Sequence, residues 1–169
     1  MRNPDLASPP KVPMPSKLEA ESFATVVRLA PLVSIDLIVR DRQERVLLGR
    51  RTQPPARGWW FVPGGRIRKE ERLQDAAARL LAEELGWTGA AATRLRGVYE
   101  HFHPDNFQGT HEFSTHYVVL AYDVLVDTGG LDLPGSQHSE YRWLSVPEIL
   151  TSPDVHPYAK DYFKLDDTG

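Results

Sequence analysis

The sequence contains no cysteine, so neither a disulfide framework nor thiol chemistry can contribute to its fold or function. No apolar run approaches the length of about 18 residues that a membrane-spanning helix needs. The first residues, Met1 to Pro4, lack the apolar core of a signal peptide. An excess of positive charge is also missing, because the formal net charge is -3 and the Lys and Arg residues are scattered. We therefore expect a cytoplasmic protein that binds neither nucleic acid nor membranes.

Length and proline distribution indicate the domain organisation. A chain of 169 residues suffices for one domain with a full-sized core. Five of its 14 prolines lie within the first seventeen residues, at positions 4, 9, 10, 13 and 15. Such a segment cannot join a sheet. We predict a proline-rich tail over residues 1–17 and a single domain over 18–169.

Hydrophobic patterns predict more strands than helices. Ser16 and Glu19 resemble a capping box, which predicts a helix through about Leu29. Apolar runs bounded by turn residues predict strands, whereas apolar spacing of three to four residues predicts the main helix. The predicted strands are 32–39, 46–49, 58–62, 94–102, 112–126 and 139–144, the predicted turn is 63–65, and the later helices are 73–85, 147–150 and 156–163. This composition of elements predicts an α+β fold.

The most informative stretch begins at Gly64, where a Gly-Gly pair precedes a helix that ends in Glu83 and Glu84. Hard cations such as Mg²⁺ take carboxylate oxygens together with substrate phosphates and water. Glu84 falls near the line of the apolar stripe of the helix, where a carboxylate is costly to bury unless a cation compensates it. Glu83 follows Arg79 by four residues and can pair with it. An amphipathic helix with a polar end is the alternative interpretation.

Other polar residues stand in apolar surroundings. Asp36 interrupts a strand of Ile, Leu and Val, where it either orients an arginine at a pocket floor or has a structural role in a turn or ion pair. Arg50 and Arg51 end the next predicted strand, and a guanidinium there is either a bidentate phosphate ligand or a surface group. Arg66 follows the glycine pair directly and is the natural second phosphate ligand.

A Gln-His pair, Gln137 and His138, follows a Pro-Gly-Ser turn. Histidine titrates near neutrality and can accept a proton from water. A lone histidine in a loop is more often an exposed side chain without such a role. The pattern alone leaves both interpretations open.

The stretch around the predicted main helix resembles the Nudix box, with matching residues Gly65, Glu71, Arg79, Leu81, Glu83, Glu84 and Gly86. Leu80 stands where that family places a further Glu. The chain from about residue 18 to 163 is similar to one Nudix subgroup, the GDP-mannose mannosyl hydrolases, which also lacks this Glu. The segments that carry this similarity are 23–28, 31–36, 58–66, 101–107, 115–120 and 137–143.

This resemblance implies an α/β/α sandwich with a mixed sheet and a homodimer. It implies one Mg²⁺, with Mn²⁺ as an alternative, bound by the Gly64 carbonyl, Glu84 and Gln137. Further roles follow from the resemblance for side chains around the substrate. Arg51, oriented by Asp36, and Arg66 would neutralise the departing GDP, His138 would be the general base, Tyr117 and His101 would contact the diphosphate or the sugar, and Phe23 is a weak candidate for a guanine contact.

The implied reaction is Mg-dependent hydrolysis of a GDP-sugar, GDP-mannose or GDP-glucose, by attack of water at the anomeric carbon with inversion. GDP is already a good leaving group, so one base and one metal would suffice without a dedicated acid. An ordinary Nudix pyrophosphatase that cuts a P–O bond is one alternative. A non-catalytic protein that binds nucleotide sugars is another.

Overall fold

The computed structural model describes residues 18–135 and 138–164, so the tail predicted for 1–17 and the predicted ligand Gln137 lie outside the described residues. No helix within the described ranges is long and apolar enough to cross a membrane. The elements in chain order are α1 (Ala20–Leu29), β1 (Leu32–Val39), β2 (Val46–Arg51), β3 (Trp60–Phe61), β4 (Gly64–Arg66), α2 (Leu73–Leu85), β5 (Ala92–His103), β6 (Thr115–Leu125), β7 (His138–Leu144), α3 (Val146–Thr151) and α4 (Pro157–Asp161).

Strand β1 is the centre of the molecule. It pairs with β6 in parallel and with β4 in antiparallel orientation, within a sheet of order β4-β1-β6-β5. A second sheet has the order β3-β2-β7. On β1, Ile35, Leu37 and Val39 pack with α2, whereas Ile38 packs with α3 and α4. Burial of both faces explains the nearly continuous apolar sequence of this strand and confirms the predicted mixed-sheet sandwich.

Helix α2 has the bounds that the apolar spacing predicts. Its buried face consists of Ala76, Ala77, Leu80, Leu81, Glu84 and Leu85. The helix ends at Gly86, whose φ of 63° is left-handed. A Cβ atom at Gly86 would also collide with the backbone of Asp132. Glycine is therefore required at this helix end for conformation and for space.

Two local predictions were wrong. The predicted turn at 63–65 is partly strand, because Gly64 to Arg66 form β4, in which Gly65 pairs with Ile35. The preceding strand is correspondingly short. Helix α1 begins at Ala20 with Glu19 as its N-cap, so Glu19 is not inside the helix as the capping-box prediction requires. The predicted N-cap, Ser16, lies outside the described residues. Pairing with β1 decides the conformation of Gly64 to Arg66 over the local pattern.

Strand β5 is one edge of the four-stranded sheet, and α4 covers part of it. The Tyr158 hydroxyl accepts a hydrogen bond from the Phe102 N–H and donates one to the Phe102 carbonyl, both at 2.9 Å. His156 precedes α4 and accepts a hydrogen bond from the Tyr158 N–H at 3.2 Å. The backbone groups of β5 at this point are thus satisfied within the chain.

Candidate active site

A cleft of about 800 Å³ is lined by β1, β4, α2 and the neighbouring ends of β5 and β6. Two of the predicted site residues, Phe23 and His138, do not line this cleft, and Gln137 is outside the described part of the chain. The predicted site residues that do line it are Asp36, Arg51, Gly64, Arg66, Glu84, His101 and Tyr117.

Adjacent glutamates at the end of α2 have different environments. Glu84 is 1% exposed, and burial raises its pKa to about 7, although the charge of Arg51 lowers it. Glu83 is exposed and accepts hydrogen bonds from Arg79 at 2.8 Å and from Arg68 at 3.1 Å. The predicted pair of Arg79 with Glu83 is confirmed. Helix α2 therefore presents one buried carboxylate to the cleft.

The glycine pair allows β4 to lie directly against its neighbours. A Cβ atom at Gly64 would lie 2.5 Å from the Ile35 carbonyl oxygen and 2.6 Å from Asp36 Oδ1. One at Gly65 would lie 2.6 Å from Leu80 Cδ2. Leu80 is 2% exposed and fills the space beside Gly65 with an apolar side chain. The position that carries a carboxylate in the usual box is here part of the core.

Arg79 connects the loop after β4 to α2. Its guanidinium donates to both carboxylate oxygens of Glu71, at 2.6 and 2.8 Å, and to the Arg66 carbonyl at 2.9 Å. Glu71 also accepts from the Arg68 N–H at 2.8 Å. The hydrogen bond from Arg79 is the main reason that the pKa of Glu71 is lowered. These box residues hold the backbone that carries the cleft side chains.

Asp36 and Arg51 lie in the cleft but are held by other groups. Asp36 Oδ2 accepts a hydrogen bond from Tyr162 at 2.6 Å. Burial raises the pKa of Asp36 to about 6, against the opposing effects of the Tyr162 hydrogen bond and the Arg51 charge. Arg51 donates its Nε to the Pro55 carbonyl at 3.0 Å. Asp36 thus acts on Arg51 through charge. Arg50 is exposed and pairs with Glu140 at 3.4 Å, as a surface residue.

Phe23 contacts an arginine of the cleft from outside. The Arg66 guanidinium carbon lies 3.9 Å from the centre of the Phe23 ring, and that ring is 4.6 Å from the Phe107 ring. A cation over an aromatic face is stabilised by about 0.5–2 kcal/mol. Phe23 therefore stabilises the position of the Arg66 guanidinium.

His138 is buried beside Glu84, with 2% of its surface exposed. A Cβ at Gly49 would collide with its ring, so glycine makes room for it. The Tyr141 hydroxyl donates to the Pro134 carbonyl at 2.7 Å, so the 3.3 Å contact between Tyr141 and His138 Nδ1 has the imidazole as donor. Nδ1 also lies 4.0 Å from Glu84 Oε2. Burial lowers the pKa of His138 to about 4, and Nε2 is left as a proton acceptor at neutral pH.

The cleft is also lined by neutral aromatic side chains. His101 is 4% exposed and stacks on Tyr158 with ring centres 4.3 Å apart. Burial lowers the pKa of His101 to about 3 and that of His103 to about 4, so both rings are neutral at pH 7. Burial also raises the pKa of Tyr117. The cleft therefore combines arginines with neutral rings.

Two organising residues were not predicted from the sequence. Tyr162 binds Asp36 across 126 positions of sequence, a separation at which no spacing signal exists. Asn106 is fully buried and donates to Thr110 and to the Phe113 carbonyl, while its Oδ1 accepts from the Gln108 N–H at 2.9 Å. An Asn in a polar loop is ordinary in sequence, and only its burial reveals the role.

The donor chemistry of the cleft fits a hard cation. Within 18–135 and 138–164 no group of three or more His, Cys, Asp or Glu side chains could hold a metal ion. Mg²⁺ is commonly bound by one or two carboxylates together with substrate phosphates and water, which requires no such group. The buried Glu84 carboxylate, with its raised pKa, is the type of ligand that a cation stabilises. The Gly64 carbonyl belongs to the same cleft.

A mixed sheet between helical layers, with a Gly-Gly strand and a glutamate-bearing helix at the cleft, is the arrangement of a Nudix domain. The family model described as NUDIX domain matches residues 30–165, and the chain belongs to this family. It is a Nudix hydrolase that acts on nucleoside diphosphate derivatives. Nudix hydrolases generally use divalent metals such as Mg²⁺.

Similar proteins include several with named activities or processes. The low-salt glycan biosynthesis protein Agl8 of Haloferax volcanii is 37% identical over 148 residues, which is 87% of this chain and 89% of that protein. The ADP-ribose pyrophosphatase of Methanocaldococcus jannaschii is 28% identical over 80% of this chain and 75% of its own length. The crystal structure of a MutT protein from Methanosarcina mazei Go1 has a TM-score of 0.62 at 25% identity, covering 79% of this chain and 91% of that one.

Proposed function

We propose that this enzyme hydrolyses a GDP-sugar, GDP-mannose or GDP-glucose, to GDP and free sugar by attack of water at the anomeric carbon with inversion. Leu80 is the observation that carries this proposal. Because Leu80 is packed against Gly65 and Glu83 is held by arginines, α2 contributes a single buried carboxylate to the cleft. One buried carboxylate beside Arg51 and Arg66, the two predicted phosphate ligands among the arginines of the cleft, suits stabilisation of a departing diphosphate.

The proposed reaction assigns metal binding and diphosphate binding to different residues. Glu84, the Gly64 carbonyl and Gln137 would hold Mg²⁺ or Mn²⁺, which when bound supplies positive charge for the leaving diphosphate. Arg51 and Arg66 would bind the diphosphate oxygens in two-pronged fashion.

His138 is the proposed base. Its Nε2 can accept a proton from water, because the Tyr141 contact keeps the hydrogen on Nδ1. His138 lies beside the proposed metal ligand Glu84, with its Nδ1 4.0 Å from Glu84 Oε2, although it does not line the cleft itself. The proposal requires that the reacting water reach Nε2 from the cleft beside Glu84. Inversion follows from direct displacement by that water.

The names of two relatives favour different reactions, one on a sugar-bearing substrate and one at the P–O bond of a diphosphate. The name of the H. volcanii protein places it in glycan biosynthesis, which supports a sugar-bearing substrate for this chain. The M. jannaschii relative is named as an ADP-ribose pyrophosphatase, which favours the alternative that the P–O bond within the diphosphate is cut. A homodimer in the cytoplasm is also part of the proposal, and it rests on the family resemblance.

Hydrolysis of GDP-mannose with Mg²⁺ in ¹⁸O-labelled water separates these alternatives. We expect GDP without label and a sugar that carries the label, as detected by mass spectrometry. Proton NMR of the first product formed should show the inverted anomer. Label in a phosphate, together with GMP as a product, would establish the pyrophosphatase reaction instead.

A further inference from the structure

A chain of hydrogen bonds connects Asp36 to His101 at the floor of the cleft. The Tyr162 hydroxyl lies 2.6 Å from Asp36 Oδ2 and 3.2 Å from His101 Nε2. Tyr162 is 2% exposed, so water does not compete for these contacts. The ring of His101 is further fixed by stacking on Tyr158, with an interplanar angle of 5°.

The direction of this chain determines which nitrogen of His101 carries hydrogen. A phenol has one hydrogen to donate, and the Tyr162 hydroxyl gives it to the Asp36 carboxylate. The contact between Tyr162 and His101 therefore needs Nε2–H of the imidazole as the donor. Because burial keeps the pKa of His101 at about 3, the ring carries only this one hydrogen at neutral pH. Nδ1 of His101 is then a hydrogen-bond acceptor.

We propose that Tyr162 is a positioning residue that fixes His101 with Nδ1 as an acceptor, and that Nδ1 receives a hydroxyl group of the sugar. The inference rests on the proposed GDP-sugar hydrolysis. Diphosphate oxygens are ionised at neutral pH and have no hydrogen to donate, so an acceptor nitrogen repels them. The same cleft offers Arg51 and Arg66 as donors for these oxygens. His101 therefore contacts the sugar, and the two arginines contact the diphosphate.

The tautomer can be measured on the free protein. In protein labelled with ¹⁵N-histidine at pH 8, long-range ¹H–¹⁵N correlations should show a protonated Nε2 and an unprotonated Nδ1 for His101, assigned by comparison with His101→Phe. In Tyr162→Phe, both nitrogen shifts should move towards values averaged over two tautomers. A protonated Nδ1 in the parent protein would overturn the proposal. This result does not depend on which bond the enzyme cuts.

Kinetics then test the contact itself. His101→Phe keeps a ring against Tyr158 but removes the acceptor, so we expect the KM for GDP-mannose to rise about tenfold, the effect of one buried hydrogen bond. The inhibition constant of GDP, which lacks the hexose that the reaction releases, should stay unchanged. Tyr162→Phe should give a smaller rise in KM and again no change for GDP. Equal rises in both constants would assign His101 to the diphosphate and overturn the proposal.

Tyr158→Phe is the matched control, because it preserves the stacked ring but removes the two bonds to Phe102. It should lower the melting temperature without changing the His101 nitrogen shifts. If it changes them as strongly as Tyr162→Phe does, the tautomer is set by general packing and not by Tyr162. Release of GMP from GDP-mannose would refute the proposed reaction, whereas binding of GDP-mannose and GDP to these variants would still test the hydroxyl contact.

Discussion

Neighbouring residues of one helix can have unlike chemistry when their environments differ. Glu83 and Glu84 are adjacent, yet one is exposed in ion pairs and the other is buried with a raised pKa. The apolar spacing of α2 predicted this difference, because Glu84 falls on the buried face and Glu83 does not. The bond from Tyr162 to Asp36 was not predictable, since nothing in the local sequence connects them.

The two glutamates predict a sharp contrast between variants. Glu84→Gln should lower kcat at least a hundredfold and raise the Mg²⁺ concentration for half-maximal activity, because a positioned charge contributes several kcal/mol. Glu83→Gln is the control and should stay within a few-fold, because exposed ion pairs contribute about 0–1 kcal/mol. Equal loss in steady-state assays with Mg²⁺ titration would show that α2 presents both carboxylates to the metal.

His138 is expected to act on water and not on substrate binding. His138→Gln should reduce kcat by about 10²–10⁴-fold, the usual contribution of a general base, with KM nearly unchanged. His138 lies 4.0 Å from Glu84, so it could also act by holding this carboxylate in place. The Mg²⁺ concentration for half-maximal activity distinguishes this role from that of a general base. A rise in that concentration equal to the one in Glu84→Gln would mean that His138 only holds the carboxylate in place.

At the scale of elements, β1, α2 and even the short helices α3 and α4 lie near their predicted positions, whereas the short strand β4 was not predicted. β1 and α2 have the predicted bounds, because eight and thirteen residues are enough for a pattern to repeat. β4 has three residues, two of them glycine, and exists because it pairs with β1. The contact of Phe23 with Arg66 was not predicted either, because it depends on tertiary packing against Phe107 in a loop far along the chain.

That loop gives a prediction that connects stability to binding. Asn106→Ala leaves the groups around Thr110 and Phe113 without their partner, so the free energy of unfolding should fall by about 1–3 kcal/mol. The loop carries Phe107, which packs on Phe23, so the support of Arg66 is weakened and KM should rise a few-fold. Thr110→Val removes a single bond and is the milder control. Urea unfolding and steady-state kinetics measure both effects, and an unchanged KM would mean that Phe23 holds its place unaided.

At the scale of the whole molecule, buried neutral histidines couple folding to pH. Burial is the main cause of the lowered pKa values of His101, His103 and His156, to about 3, 4 and 4. Below about pH 6.5 these histidines become protonated in the unfolded chain but stay neutral in the folded protein. They therefore lower the free energy of unfolding as the pH falls. Asp36 and Glu84 have raised pKa values of about 6 and 7 and act in the opposite direction.

Because these effects oppose each other, a variant shows the histidine contribution more clearly than the parent does. His103→Gln should reduce the loss of unfolding free energy between pH 6.5 and 4, by at most about 3 kcal/mol. Urea denaturation at a series of pH values provides the measurement. His111→Gln is the control, since His111 is exposed. Parallel pH curves for the parent and His103→Gln would show that His103 is protonated in the folded state.

The hydroxyl of Tyr158 bridges two backbone groups on the outer side of β5, and this has a consequence for the protein at high concentration. A long strand at a sheet border is a template on which a foreign strand can add, and such addition starts fibril growth. By occupying the Phe102 N–H and carbonyl, Tyr158 interrupts the row of free groups that an incoming strand would need. We therefore expect α4 to hinder the addition of a second molecule at this edge of the sheet.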